Sequence, residues 1–83
     1  MTKKSMRAKE QRLVVTFHTT AEAIAAEKEF KQNQVSGRLI PVPRQISAGC
    51  GLAWSAPADA EDAVRGCMLR HSLAWEAIGV YVI

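Results

Sequence analysis

Much of what marks a catalytic, secreted or membrane chain is missing here. No apolar run approaches the ~20 residues that a membrane helix requires. The first apolar stretch, Leu13 to Phe17, stops at His18, well short of the roughly 7–15 residues of a secretory leader. A cytoplasmic location is therefore expected. Only two cysteines occur, Cys50 and Cys67, 17 positions apart. That spacing is neither a zinc pattern nor a redox C-x-x-C pair, and in a reducing compartment both are expected as thiols. Cys67 and His71 stand four apart, but two ligands do not make a metal site, so no metal is expected. No internal repeat, low-complexity segment or inner linker interrupts the chain. With 83 residues the chain is one domain at most, too small for an enzyme with a cofactor domain of its own. Domains of this size bury only roughly 60% of their unfolded surface.

What is present is an ordinary globular composition, 48% hydrophobic and 23% charged, with an uneven charge distribution. In residues 1–12, Lys3, Lys4, Arg7, Lys9 and Arg12 oppose Glu10 alone, leaving +4. The remainder holds six basic and seven acidic groups, a net of −1. Residues 1–12 thus read as a basic flexible tail and residues 13–83 as a single domain. No aromatic residue interleaves the tail's charges, so a base-stacking surface is missing and nucleic acid is not the expected partner.

The elements follow from periodicity and punctuation. Leu13–Phe17 is a β-branched apolar run and reads as a buried strand. Thr19-Thr20-Ala21-Glu22 matches a capping box, opening a helix to about Gln34. Its stripe is Ala23, Ile24, Ala26 and Phe30, and Ser36-Gly37 ends it. Arg38–Val42 is a second strand, confined to an edge by Pro41. Gly51–Ser55 is a third, with Leu52 and Trp54 on one face. Pro57 to Arg70 is a second helix, begun by Asp59, Glu61 and Asp62, with the stripe Ala60, Ala63, Val64, Cys67, Met68 and His71. Ala77–Ile83 closes the chain as a strand. The order predicts an α+β, ferredoxin-like β-α-β-β-α-β sandwich: a four-stranded antiparallel sheet with two helices on one face and the first and third strands central. One end of that sheet then collects His18, the first helix start, the Pro43–Gly49 loop and Cys50, with Arg70 and His71 returning to it.

The Pro41–Leu52 segment is the least generic part of the sequence. Cys50 lies between Gly49 and Gly51, on backbone that no side chain shields. Pro41 and Pro43 stiffen the approach, and Arg44 adds a positive charge six residues before the thiol. Loop amides and the first helix start add partial positive charge, and each of these features favours the ionised, reactive sulfur. The alternatives are plain: a buried structural cysteine, a solvated arginine, and a strand-end histidine acting as a cap rather than as a hydrogen-bond or proton partner of the thiol. Cys67 reads as core packing, His71 as core or a helix cap, Trp54 and Trp75 as packing, with Trp75 also placed to form a lip over the thiol. Glu27 borders the buried stripe and is expected to pair with Arg38 or Arg44.

At these residues the chain resembles the selenium/sulfur carrier protein-like family of small bacterial and archaeal proteins. The resemblance runs from Leu13 to Ile83. It is carried by Thr16-Phe17-His18-Thr19-Thr20, by Ala23-Ile24 with Ala26-Glu27-Lys28, by Pro41-Val42-Pro43-Arg44-Gln45-Ile46-Ser47 with Cys50-Gly51-Leu52, and by Gly79-Val80-Tyr81. Ala48-Gly49 departs from the small polar residues common before the cysteine, and the basic tail is additional. The resemblance implies a cysteine that carries sulfur or selenium as a persulfide or selenopersulfide, and on this chain that residue is Cys50, with Arg44, Gly49, Gly51 and His18 as the surrounding anion-stabilising or loop residues. No cofactor beyond that covalent group is implied. The implied partners are a cysteine desulfurase-like donor and an acceptor, in a relay rather than an enzyme, with no membrane partner; a homodimer through an edge strand is also open. The alternative from another class is a ferredoxin-like interaction or regulatory module without thiol chemistry.

Overall fold

The apolar run after Gln11 and the first capping box build the frame of the computed structural model, which describes residues 10–46 and 50–83. Strand β1 spans Gln11–Thr16, helix α1 Thr20–Gln32, β2 Arg38–Pro41, β3 Leu52–Pro57, a 3₁₀ turn Ala58–Ala60, helix α2 Glu61–Arg70, and β4 Ala77–Val82. The strands form one sheet in the order β2-β3-β1-β4 with every neighbouring pair antiparallel. This is the expected α+β, ferredoxin-like arrangement, with β1 and β3 central. Among the described residues no helix is long and apolar enough to cross a membrane. Gln11 and Arg12 are strand residues, so β1 begins two positions before the apolar run.

Leu13, Val15 and Phe17 alternate onto the face that also receives Trp54 and Ala56 of β3. Ala23, Ala26 and Phe30 of α1 and Val64, Cys67 and Met68 of α2 pack on the same face, so both helices lie on one side of the sheet. The rings of Phe30 and Trp54 meet at 4.6 Å with a 40° tilt, joining helix to sheet. Three residues expected on the helix stripes face outward: Ile24 is 56% exposed, and Ala63 and His71 are exposed. The helices touch the sheet through a narrow strip of three buried residues each, which leaves the flanks of each stripe in water.

The second helix ends at Arg70 as expected but begins at Glu61, since Pro57 closes β3, whereas the end of α1 differs from the expectation. The α1 terminus is not Ser36-Gly37 but a left-handed Gln34, φ 58°. Val35 N–H donates to Phe30 O and Gln34 N–H to Lys31 O, the paired bonds of a Schellman cap. Ser72, φ 51°, repeats the motif after α2, with Leu73 N–H on Met68 O and Ser72 N–H on Leu69 O. Gly37 has a different task. At φ 135° a Cβ on it would lie 2.6 Å from Ser55 O and 2.6 Å from Trp54 Nε1. Glycine lets the start of β2 press against the buried indole edge. Glu27 pairs not with Arg38 or Arg44 but with Lys31 one turn on, at 3.4 Å.

The second helix does not bring His71 to the end of the sheet that holds His18. His71 Nδ1 lies 3.4 Å from Glu29 Oε1, and its Nε2 lies 3.3 Å from Asn33 Nδ2. Those partners belong to the last turns of α1, about 20 Å of helix from its first residue. α2 therefore crosses toward the far end of α1, and the exposed His71 caps α2 and bridges the helices.

The two kinds of positive-φ residue predict opposite effects. Gly37→Ala should lower stability by more than about 2 kcal/mol, from left-handed strain plus overlap with backbone and indole. Gln34→Gly and Ser72→Gly should raise it by up to about 1 kcal/mol by relieving the same strain without overlap. Urea unfolding of the three variants reads this directly; a tolerated Gly37→Ala would contradict the packing described.

Candidate functional site around Cys50

The hydrogen-bond phase of β2 and β3 sets the geometry at Cys50. Val42 N–H donates to Gly51 O at 3.0 Å. Pro41 opposes Leu52 in the register, one step along, and so falls at a non-hydrogen-bonded position. The N–H that proline lacks is not needed there. By the same phase, Leu52 turns its own amide and carbonyl away from β2, toward the side of β1. The β1 ladder ends at Thr16, paired with Ala53.

The Cys50 sulfur meets that Leu52 backbone. Leu52 N–H donates to Sγ at 3.4 Å, and Sγ lies 3.3 Å from Leu52 O. A thiol donates to the carbonyl; an ionised sulfur accepts from the amide. One residue's backbone thus supplies both polar contacts of the sulfur among the described residues. Cys50 is half-buried, packed along the margin of the core cluster where Leu52 and Trp75 also lie. Gly51 follows at φ 80°, and a Cβ there would meet nothing within 4 Å. The need for glycine is conformational: the chain must turn sharply between the thiol and β3.

The segment after β2 folds back over the sheet face that carries no helix. Gln45 Nε2 donates to Val82 O at 3.2 Å, on the opposite edge strand. Pro43 lines a cavity on that face together with Arg12 and Ser55. Val14, Thr16, Ala53 and Ser55 face away from the helices and are nonetheless buried. Tyr81 adds cover by leaning over Gly79, beside Val14.

His18 and Glu22 form a cap. Thr19 Oγ1 accepts from Glu22 N–H at 3.1 Å, as the capping box requires. Glu22 Oε1 accepts from His18 N–H at 2.8 Å and meets His18 Nδ1 at 3.0 Å. The carboxylate thus reaches one residue further back than Thr19. His18 is exposed, and Glu22 receives both of its polar contacts among the described residues. Arg44 is exposed in the strap, with no ion pair among the described residues. The polar contacts of Cys50 Sγ among the described residues are the two to Leu52. Gly49 lies outside the described residues, as do Ser47 and Ala48.

Cys67 contrasts with Cys50 in burial. It is fully buried in the core cluster. Burial pushes its thiol up, with the Arg70 charge opposing and the Glu29 charge adding. That keeps it protonated and unreactive at neutral pH. Backbone contacts to the sulfur were not legible in advance, because they depend on strand phase rather than residue type. Gln45 carried no signal either, being one amide in a loop.

A small α+β domain with a ferredoxin-like sheet and one half-buried thiol at the mouth of a central strand is the class that fold and site define. Residues 12–79 match the family model described as "Putative Se/S carrier protein-like", and the chain belongs to that family. Neither the curated proteins nor the solved structures give a significant match.

Glu22 gives a pH prediction. The His18 amide chiefly holds its carboxyl below the ordinary carboxylate range, the His18 ring and the Thr19 amide adding to this and desolvation opposing. Its contribution to stability is full above the unfolded value of about 4.3 and is lost as pH falls through the folded value. Glu22→Gln should flatten the acid limb of a melting-temperature profile below about pH 5; an unchanged limb would show that the cap contributes nothing.

Proposed function

We propose that the chain carries sulfur or selenium on Cys50, as a persulfide or selenopersulfide passed from one protein to another. One observation carries this reading. Of two free thiols, Cys67 is sealed in the core while Cys50 sits half-buried at a turn, its sulfur against an amide donor. Family membership supports the same reading. Cys50 sulfur attacks the outer sulfur of a donor persulfide. A new S–S bond forms on Cys50, the donor's S–S bond breaks, and the donor leaves as a thiolate that takes up the proton lost from Cys50. No external oxidant or reductant enters. Release to an acceptor thiol repeats the exchange, so the chain needs no turnover of its own and no general base. The donor is a cysteine desulfurase-like protein and the setting a reducing cytoplasm, where such a thiol survives. Arg44, on the exposed strap, and His18, beyond the end of β1, are the side-chain candidates for steadying an anionic terminal sulfur.

A second reading has one observation in its favour. Cys50 packs on the margin of the core and bonds to its own strand, as a structural cysteine does. Under it, the domain is an interaction module and the thiol incidental.

Incubation with a cysteine desulfurase and cysteine, followed by intact mass measurement, separates the two. The carrier reading expects a gain of one sulfur atom, lost in Cys50→Ser and retained in Cys67→Ala. No gain, or equal gain on Cys67, supports the module instead.

A further inference from the structure

The helix-free face of the sheet carries a cavity of about 630 Å³ that does not include Cys50 in its lining. That volume lies within the ~300–1,000 Å³ of ordinary small-ligand sites. Two guanidinium groups line it, Arg12 from β1 and Arg38 from β2. The register sets Arg38 opposite Ser55 and Arg12 opposite Pro57, so both arginines flank one stretch of β3. Arg12 Nε donates to Ser55 Oγ at 3.0 Å, which fixes the plane of its guanidinium. Its Nη1 is 3.9 Å from Glu10 Oε1, the limit of an ion pair, on a glutamate side chain that is 61% exposed. Arg38 has no carboxylate partner among the described residues, and the terminal carboxylate of Ile83 pairs with neither arginine. Neither guanidinium is held by a close ion pair among the described residues. Their N–H forks suit a planar carboxylate. Ile40, Pro57 and Ile83 supply apolar wall beside them.

We infer that this cavity binds a small organic monocarboxylate: the carboxylate between Arg12 and Arg38, an apolar body against Ile40, Pro57 and Ile83. The site is separate from the thiol and stands whether or not Cys50 carries sulfur. An anion there relieves the repulsion between two guanidiniums brought to one face, and the apolar walls distinguish an acyl chain or ring from a bare inorganic anion.

Amide NMR titration of the whole chain tests this, with hexanoate as probe and hexanamide and inorganic phosphate as controls. Hexanoate should give saturable shifts at Gly37, Arg38, Ile40 and Ser55, hexanamide none, and phosphate much weaker ones. Arg38→Gln, at an exposed position that tolerates change, should weaken hexanoate at least about tenfold, as loss of one charged hydrogen-bond partner does. Arg12→Lys keeps the charge but loses the bond to Ser55 and should weaken it as well. No saturable shift, equal response to hexanamide or phosphate, or an unaltered Arg38→Gln would each overturn the assignment.

Discussion

The single bond from Val42 N–H to Gly51 O fixes the phase of the β2–β3 ladder, and much of the molecule follows from that phase. It places Pro41 where a missing donor is harmless. It turns the Leu52 amide and carbonyl away from β2, and the Cys50 sulfur meets them. Slipping the register by one residue would put proline at a ladder bond and leave both Leu52 groups to pair with β2. The thiol's environment is thus a consequence of strand pairing and not of a dedicated set of side chains.

Two short helices cover one face, and among the described residues no helix lies on the other. The start of the β2–β3 connection lies over part of that face: Pro43 lines its cavity beside Arg12 and Ser55, and Gln45 reaches Val82 O on the opposite edge strand.

The fold was largely legible because its signals are local. Alternation in Leu13–Phe17, the Thr19–Glu22 capping box and the order of elements suffice for the sheet and both helices. Failures occurred where a long-range contact overrides a local cue. Ser36-Gly37 looks like a helix stop, yet Gln34 takes the left-handed position and Gly37 is needed for closeness to Trp54. Ile24 and Ala63 sit at helical spacing but outside the narrow strip that the sheet covers. His71 was placed by strand direction alone, which says nothing of the angle at which α2 crosses α1. At the site, Cys50 stood out through its glycine neighbours, whereas the Leu52 contacts required a register that no residue type announces.

The account rests on Cys50 being the open, workable sulfur of the pair and Cys67 the closed one. The most direct measurement is the rate of iodoacetamide alkylation at each cysteine in the folded chain near neutral pH, read by peptide mass spectrometry. Cys50 should react at least about tenfold faster than Cys67, with the difference vanishing on unfolding, as expected when exposure sets thiol reactivity. A Cys50 as slow as Cys67 in the folded state would contradict it.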